Sequence, residues 1–284
     1  MSVTRDRMRK GASTPHALRL GGIDHVELWV GNARQAAGFL AAAFGFDITA
    51  YAGPETGVPD RASYVLTQGD VRFVVTAGLT ADSPVAAHAR IHGDGVKDLA
   101  LVVKNAAAAY RAALDRGAVG VREPWAEADA GGRIVRATIA AYGDTQHTFV
   151  EREDYLGVFA PGYEPSELRR PAGPDVGLRR IDHVVANVEL GHLADWVAFY
   201  GRTFGFDQLV HFDDDTISTE YSALMSTVVW DGSKVVLPIN EPAPGRRRSQ
   251  IQEFLDCYGG PGVQHIALRT GDIVTTVRAL RDRG

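Results

Sequence analysis

The sequence predicts an α+β protein built from repeated βαβββ modules, paired into two domains, with the fourth module incomplete. Three observations carry that prediction: four apolar segments of one shared pattern, a stretch of helical period after each, and alternating β-branched runs beyond the helices.

The four segments are Gly22–Val30 (GIDHVELWV), Gly95–Val103 (GVKDLALVV), Arg180–Val188 (RIDHVVANV) and Gly262–Thr270 (GVQHIALRT), and each reads as a short strand. After the third, Leu193, Trp196, Val197 and Tyr200 fall at i, i+3, i+4 and i+7, one face of a helix. After the first, Phe39, Leu40 and Phe44 are expected to play the same part. Both helices run into one tetrapeptide, Phe44-Gly-Phe-Asp47 and Phe204-Gly-Phe-Asp207, whose glycine suits a C-cap. The other two end at Arg116-Gly117 and Arg283-Gly284. Further strands follow in the first unit, Ala62–Thr67 and Val71–Thr76 around a Gln68-Gly-Asp70 turn. In the third unit they are Tyr221–Trp230 and Lys234–Ile239 around Asp231-Gly232.

These units divide the chain. Residues 1–20 read as a flexible tail, 21–152 as a first domain of two modules, and 179–284 as a second, catalytic domain. Residues 153–178, rich in Pro and Gly around Ala160–Pro165 and Pro171–Pro174, read as the linker. The fourth module stops after its helix. A sheet lacking its last strands keeps an unpaired edge, so the natural protein is expected to continue past Gly284.

Composition narrows the function. With 45% hydrophobic and 23% charged residues the chain is that of a soluble globular protein. A formal charge of −5 gives no basic field for nucleic acid, and Arg246-Arg247-Arg248 reads as a solvated run. Nothing approaches the roughly 20 apolar residues of a membrane span, and the N-terminus lacks the apolar stretch of a secretory signal. Cys257 is the single cysteine, which excludes an internal disulfide and suits a cytoplasmic setting.

His183 and His265 hold the same position in the first strands of modules three and four. Paired modules are expected to place equivalent strands on opposite walls of one cavity, where two inward imidazoles can converge. Two histidines and a carboxylate, with positions left open, form the facial set of non-haem Fe(II) oxygenases. The competing reading is a hydrogen-bonded packing histidine, the usual fate of an isolated one. The first half has His25 and Asp98 at the matching positions, with Thr148 where a terminal-strand carboxylate would stand, and is expected to be structural and metal-free. His16, His88, His92, His147, His192 and His211 have no matched partner and read as surface or packing residues.

Several longer motifs then carry a resemblance. Glu220–Val229 (EYSALMSTVV), Leu237–Pro242 (LPINEP), Ser249–Phe254 (SQIQEF), Gly262–Leu268 and His92–Val96 (HGDGV) are similar to the 4-hydroxyphenylpyruvate dioxygenases, in the family's order and near its spacing. The resemblance covers nearly the whole chain from Gly21 and implies the vicinal oxygen chelate (glyoxalase-like) fold. It implies that His183 and His265 bind Fe(II), and that Ser226, Asn240, Gln250 and Gln264 line the substrate pocket. Strand alternation alone points Gln264 away from His265, so it is the weakest of these matches. The implied reaction uses O₂ to convert 4-hydroxyphenylpyruvate into homogentisate and CO₂, a step of tyrosine catabolism, in a cytoplasmic dimer or tetramer. The family's third ligand, a glutamate, is expected beyond Gly284; Glu220, Glu241 and Glu253 do not correspond to it. Residues 1–284 alone are accordingly expected to bind iron weakly and turn over little. Two alternatives remain. A 4-hydroxymandelate synthase shares substrate and iron, though Pro238-Ile-Asn240 favours the dioxygenase. A non-catalytic binding module of the same fold would apply if the natural chain ends at Gly284.

Overall fold

The computed structural model describes residues 17–212, 223–243 and 248–284. The reading of the first sixteen residues as a tail, and those of Glu220 and Arg246-Arg247, fall outside them.

The first module comprises β1 (Leu20–Trp29), α1 (Ala33–Phe44), β2 (Asp47–Ala52), β3 (Arg61–Gln68) and β4 (Val71–Gly78). A connecting helix, α2 (Pro84–His92), leads to the second: β5 (Gly95–Val103), α3 (Ala106–Asp115), β6 (Gly120–Asp129), β7 (Gly132–Ala140) and β8 (Gln146–Glu151). The short β9 (Glu164–Pro165) precedes the third: β10 (Leu178–Asn187), α4 (Leu193–Phe204), β11 (Asp207–Phe212), β12 (Ala223–Trp230) and β13 (Val236–Ala243). Helix α5 (Gln250–Tyr258), the counterpart of α2, leads to β14 (Gly262–Thr270) and α6 (Ile273–Asp282).

Two mixed sheets result, ordered β6-β7-β8-β5-β1-β4-β3-β2-β9 and β11-β12-β13-β10-β14. In each, the first strands of two modules pair antiparallel, β1 with β5 and β10 with β14. Each of β1, β5 and β10 also pairs parallel with the last strand of its own module. Among the described residues β14 has no such neighbour and stands at the edge of its sheet.

The shared tetrapeptide does the same work twice. Gly45 and Gly205 cap α1 and α4 at φ 74° and 75°, in the left-handed region a side chain disfavours. The turn drops Phe46 and Phe206 into the core. The helix faces differ, however. Helix α4 buries Leu193, Val197 and Tyr200 as its pattern predicts. Helix α1 buries Ala33, Ala37 and Ala41 instead, while Leu40 and Phe44 are half-buried and Phe39 is 61% exposed. Small residues let that helix lie close on its sheet, and the large ones are displaced to its flank.

One hydrophobic core runs through both halves. Tyr142 meets Trp196 edge-on at 5.8 Å, and Phe149 lies 6.0 Å from Phe204. The stretch read as linker is packed rather than loose. Phe159 and Ala160 are buried, and Glu164–Pro165 adds a strand beside β2.

Candidate metal and substrate site

Strands β10 and β14 carry the two matched histidines, and the strand register explains how each ring is held. Ile181 pairs with Leu268 and His183 with Ala267, so Asp182 is an extra residue in β10. Val185 pairs with His265 and Ala186 with Val263, so Gln264 is an extra residue in β14. Such bulges break the strict alternation of faces and bring the residue before each histidine beside its ring. Asp182 Oδ2 accepts from His183 Nδ1 at 3.1 Å, and Gln264 Oε1 accepts from His265 Nδ1 at 2.9 Å. With the proton placed on Nδ1, each Nε2 presents a lone pair.

The two rings meet edge-on, at 5.8 Å between centroids and 76° between planes. Burial, and next the charge of His183, hold His265 below its ordinary pKa, which favours the neutral, ligating form. This donor chemistry fits an iron ion: two imidazole nitrogens, each oriented by an outer hydrogen bond, as metal-bound histidines are. Among the described residues no carboxylate completes the set. Glu241 is buried and committed elsewhere, since its Oε2 accepts from the Gly191 and Leu193 N–H groups at the start of α4. Glu253 is exposed in the first turn of α5, and Glu220 lies outside the described residues.

Of the pocket candidates, Ser226 and Asn240 are opposite partners on β12 and β13, and both are buried. Asn240 Nδ2 donates to Asn187 Oδ1 at 3.3 Å. Alternation puts Asn187 on the same face of β10 as His183. Gln250 is exposed at the first position of α5, just after the Ser249 cap. Gln264, which alternation alone would turn away, touches His265 because of the bulge.

The first half repeats the geometry with different chemistry. Asp24 and Lys97 are the extra residues before His25 and Asp98. Asp24 Oδ1 accepts from His25 Nδ1 at 2.6 Å and is also held by Arg152. Burial opposes ionisation of Asp24, but His25, Arg152 and Arg72 outweigh it and keep the carboxyl well below its usual range. Asp98 has no cationic partner in contact and accepts from Thr148, whose N–H lies at 3.0 Å, which does not offset burial, so burial raises it to about 7. A cavity of about 460 Å³ opens here, lined by His25, Glu27, Asp98, Arg136 and Thr148 among others.

Sequence reasoning assigned no role to Asp182, whose signal was its place directly before a matched histidine. It also did not bring His88, His92 and Asp144 together, although His88 and His92 stand four apart on a helix.

Comparison with known proteins agrees with this architecture. The profile "Hydroxyphenylpyruvate dioxygenase, HPPD, N-terminal" matches residues 20–157, and "Glyoxalase/Bleomycin resistance protein/Dioxygenase superfamily" matches residues 180–284. The chain is 46% identical over 269 residues to 4-hydroxyphenylpyruvate dioxygenase of Dictyostelium discoideum, covering 93% of this chain and 73% of that one. It is 43% identical to the enzyme of Yarrowia lipolytica, with 93% and 69% covered. Among solved structures, a mutant of 4-hydroxymandelate synthase from Streptomyces coelicolor superposes with a TM-score of 0.80 at 32% identity, covering 94% of this chain and 76% of that one. A fusion of a xylose isomerase-like TIM barrel with 4-hydroxyphenylpyruvate dioxygenase shares the fold, with a TM-score of 0.67 at 21% identity over 94% of this chain and 39% of that one.

Proposed function

Because the chain belongs to the 4-hydroxyphenylpyruvate dioxygenase family, we propose that it converts 4-hydroxyphenylpyruvate and O₂ into homogentisate and CO₂, with Fe(II) held by His183 and His265. The observation that carries the assignment of the site is the adjacent pair of imidazoles, each with Nδ1 engaged by the residue before it.

Iron supplies the redox chemistry with O₂ when bound, and the 2-oxo acid group of the substrate suits it as a chelating ligand. The chain's residues do the positioning. Asp182 and Gln264 fix the two rings in the ligating tautomer. Ser226 and Asn240, neighbours across β12 and β13, offer a hydroxyl and an amide to the organic substrate from one wall, while Gln250 stands at the mouth of the neighbouring helix. Apolar neighbours such as Val184 and Ile239 pack behind this wall and keep water from its back. The family also suggests a place in tyrosine catabolism and a cytoplasmic homo-oligomer.

The experiment is expression of the intact reading frame, followed by identification of the product from 4-hydroxyphenylpyruvate, Fe(II) and O₂. Homogentisate formed by the parent and lost in both His183→Ala and His265→Ala supports the reading. Homogentisate that survives both substitutions overturns the site. The structural likeness to 4-hydroxymandelate synthase makes 4-hydroxymandelate the competing product, and its formation would reassign the reaction while leaving the metal site in place.

A further inference from the structure

Outside the histidine pair of the second half, three ligating side chains meet where the two halves touch. His88 and His92 project from one side of α2, and Asp144 stands in the turn before β8. One ligand atom from each lies within 4.8 Å of the others.

The hydrogen bonding of this cluster is incomplete in a specific way. His92 Nδ1 is 2.6 Å from the Tyr258 carbonyl oxygen, which can only accept, so the ring proton sits on Nδ1. His92 Nε2 then turns its lone pair toward Asp144 Oδ2 at 3.1 Å, and two acceptors at that distance need a proton or a cation between them. His88 is 3% exposed, yet neither of its ring nitrogens has a hydrogen-bond partner. Its Nδ1 only approaches Asp144 Oδ2, at 3.5 Å. A buried donor left unpaired loses its hydration without a replacement partner.

We propose that His88, His92 and Asp144 bind a divalent transition-metal ion of the zinc class, which ties α2 to the turn before β8. Two ligands of one tetrahedral ion, with bonds of about 2.0–2.2 Å, stand roughly 3.3–3.5 Å apart, close to the 3.1 and 3.5 Å seen here. The outer hydrogen bond from His92 to a backbone carbonyl is the one that orients metal-bound histidines. Burial, and then the charges of His92 and Lys97, keep His88 below its ordinary pKa and so neutral. Burial opposes ionisation of Asp144, but Lys97 and the two histidines outweigh it and keep the carboxyl anionic. The Asp144 side chain is 50% exposed, so an ion has a route in. Lys97, the nearby cation, is engaged by the Asp144 carbonyl and lies over the Trp29 ring. The site also adjoins the second half. Its carbonyl anchor, Tyr258, stacks on His92 at 4.4 Å and is followed by Gly259, Gly260 and Pro261, the turn into the strand that carries His265.

The test uses the untagged chain carrying His183→Ala and His265→Ala, so that the proposed iron site cannot contribute. Co(II) is the probe, read by its visible tetrahedral bands and by equilibrium dialysis. One equivalent should bind, and the melting midpoint should rise by roughly 5 °C at a hundredfold excess over Kd. Adding Asp144→Asn, a partly exposed change whose fold is checked by circular dichroism without metal, should abolish both signals; His88→Gln should do the same. Absence of stoichiometric Co(II) in the parent of this series overturns the proposal. Bands that persist in the Asp144→Asn chain overturn it equally.

Discussion

Asp98 and His147 show how burial decides protonation one residue at a time. Burial raises Asp98 to about 7, so the folded chain holds a proton that the unfolded chain has released above about pH 4. Its contribution to stability is therefore present at low pH and lost as pH rises from about 4 to about 7. Burial lowers His147 to about 4, which works in the opposite sense: stability falls as pH drops from about 6.5 to about 4. The two slopes partly cancel in the parent. Asp98→Asn keeps an oxygen for the Thr148 N–H and removes the carboxyl. Denaturant titrations should show the variant gaining on the parent steadily between pH 4 and 7, by a few kcal/mol at most at about 1.4 kcal/mol per unit, and no further above that. A difference that is flat across this window would mean Asp98 is ionised in the folded state. The same scale governs the proposed metal site. Asp182→Ala removes the acceptor for His183 Nδ1, and Fe(II) affinity of the intact protein should fall about 10–100-fold. Asp182→Asn should recover most of the loss, because an amide oxygen still accepts. Equal affinity in all three would remove Asp182 from the site.

At the scale of the element, the strands and caps were legible in the sequence and the bulges were not. The repeated segments place β5 and β14 at the residues expected, and the FGFD tetrapeptide gives both helix ends. A bulge leaves no mark in hydrophobic periodicity, because the skipped residue (Asp24, Asp182 or Gln264) and the histidine after it form a polar pair between apolar residues, whichever of the two is skipped. That is why Gln264 read as facing away from His265. The face of α1 was misjudged for a different reason: side-chain size says which residues lose most by exposure, whereas close approach of helix and sheet selects alanine. Helix α4 adds a device that no local pattern shows, since its start is capped by Glu241, about 50 residues later in the chain. Both Gly191 and Leu193 donate to one buried carboxylate oxygen, where the helix dipole also favours negative charge. Glu241→Ala should cost about 1–3 kcal/mol by chemical denaturation, as the buried Leu193 N–H and the part-buried Gly191 N–H lose their acceptor. Glu241→Gln should lose less than half of that. Equal losses would assign the effect to charge rather than to the hydrogen bonds.

The whole molecule behaves as two sheets that share one core. Its contacts across the halves are not confined to one strap. His147 of β8 is fully buried, with Nε2 at 2.8 Å from the Tyr200 hydroxyl of α4. Phe204 closes on both His147 and Phe149. Arg116 and Arg202 each donate to backbone carbonyls of the other half, and Arg283 of the last turn reaches Ala42 and Pro174. The sequence marks the boundary between the domains by Pro and Gly, but it gives no sign of this joining, because the aromatic residues involved read as apolar faces of their own halves and the arginines as solvated charges. An interface that is apolar, buried and continuous with both cores couples their unfolding. The halves should therefore melt as one unit, and amide exchange under mild denaturant should show β1, β5, β10 and β13 opening at the same free energy. Tyr200→Ala is the decisive variant. It removes a fully buried ring and strands His147 Nε2, changes that cost about 3–5 kcal/mol in a core. If the coupling is as described, the exchange protection of β5 and β8 falls together with that of β10 and β13. Protection lost only in the second sheet, with β5 and β8 unchanged, would mean that each half holds its fold alone and that their contact is docking between finished domains.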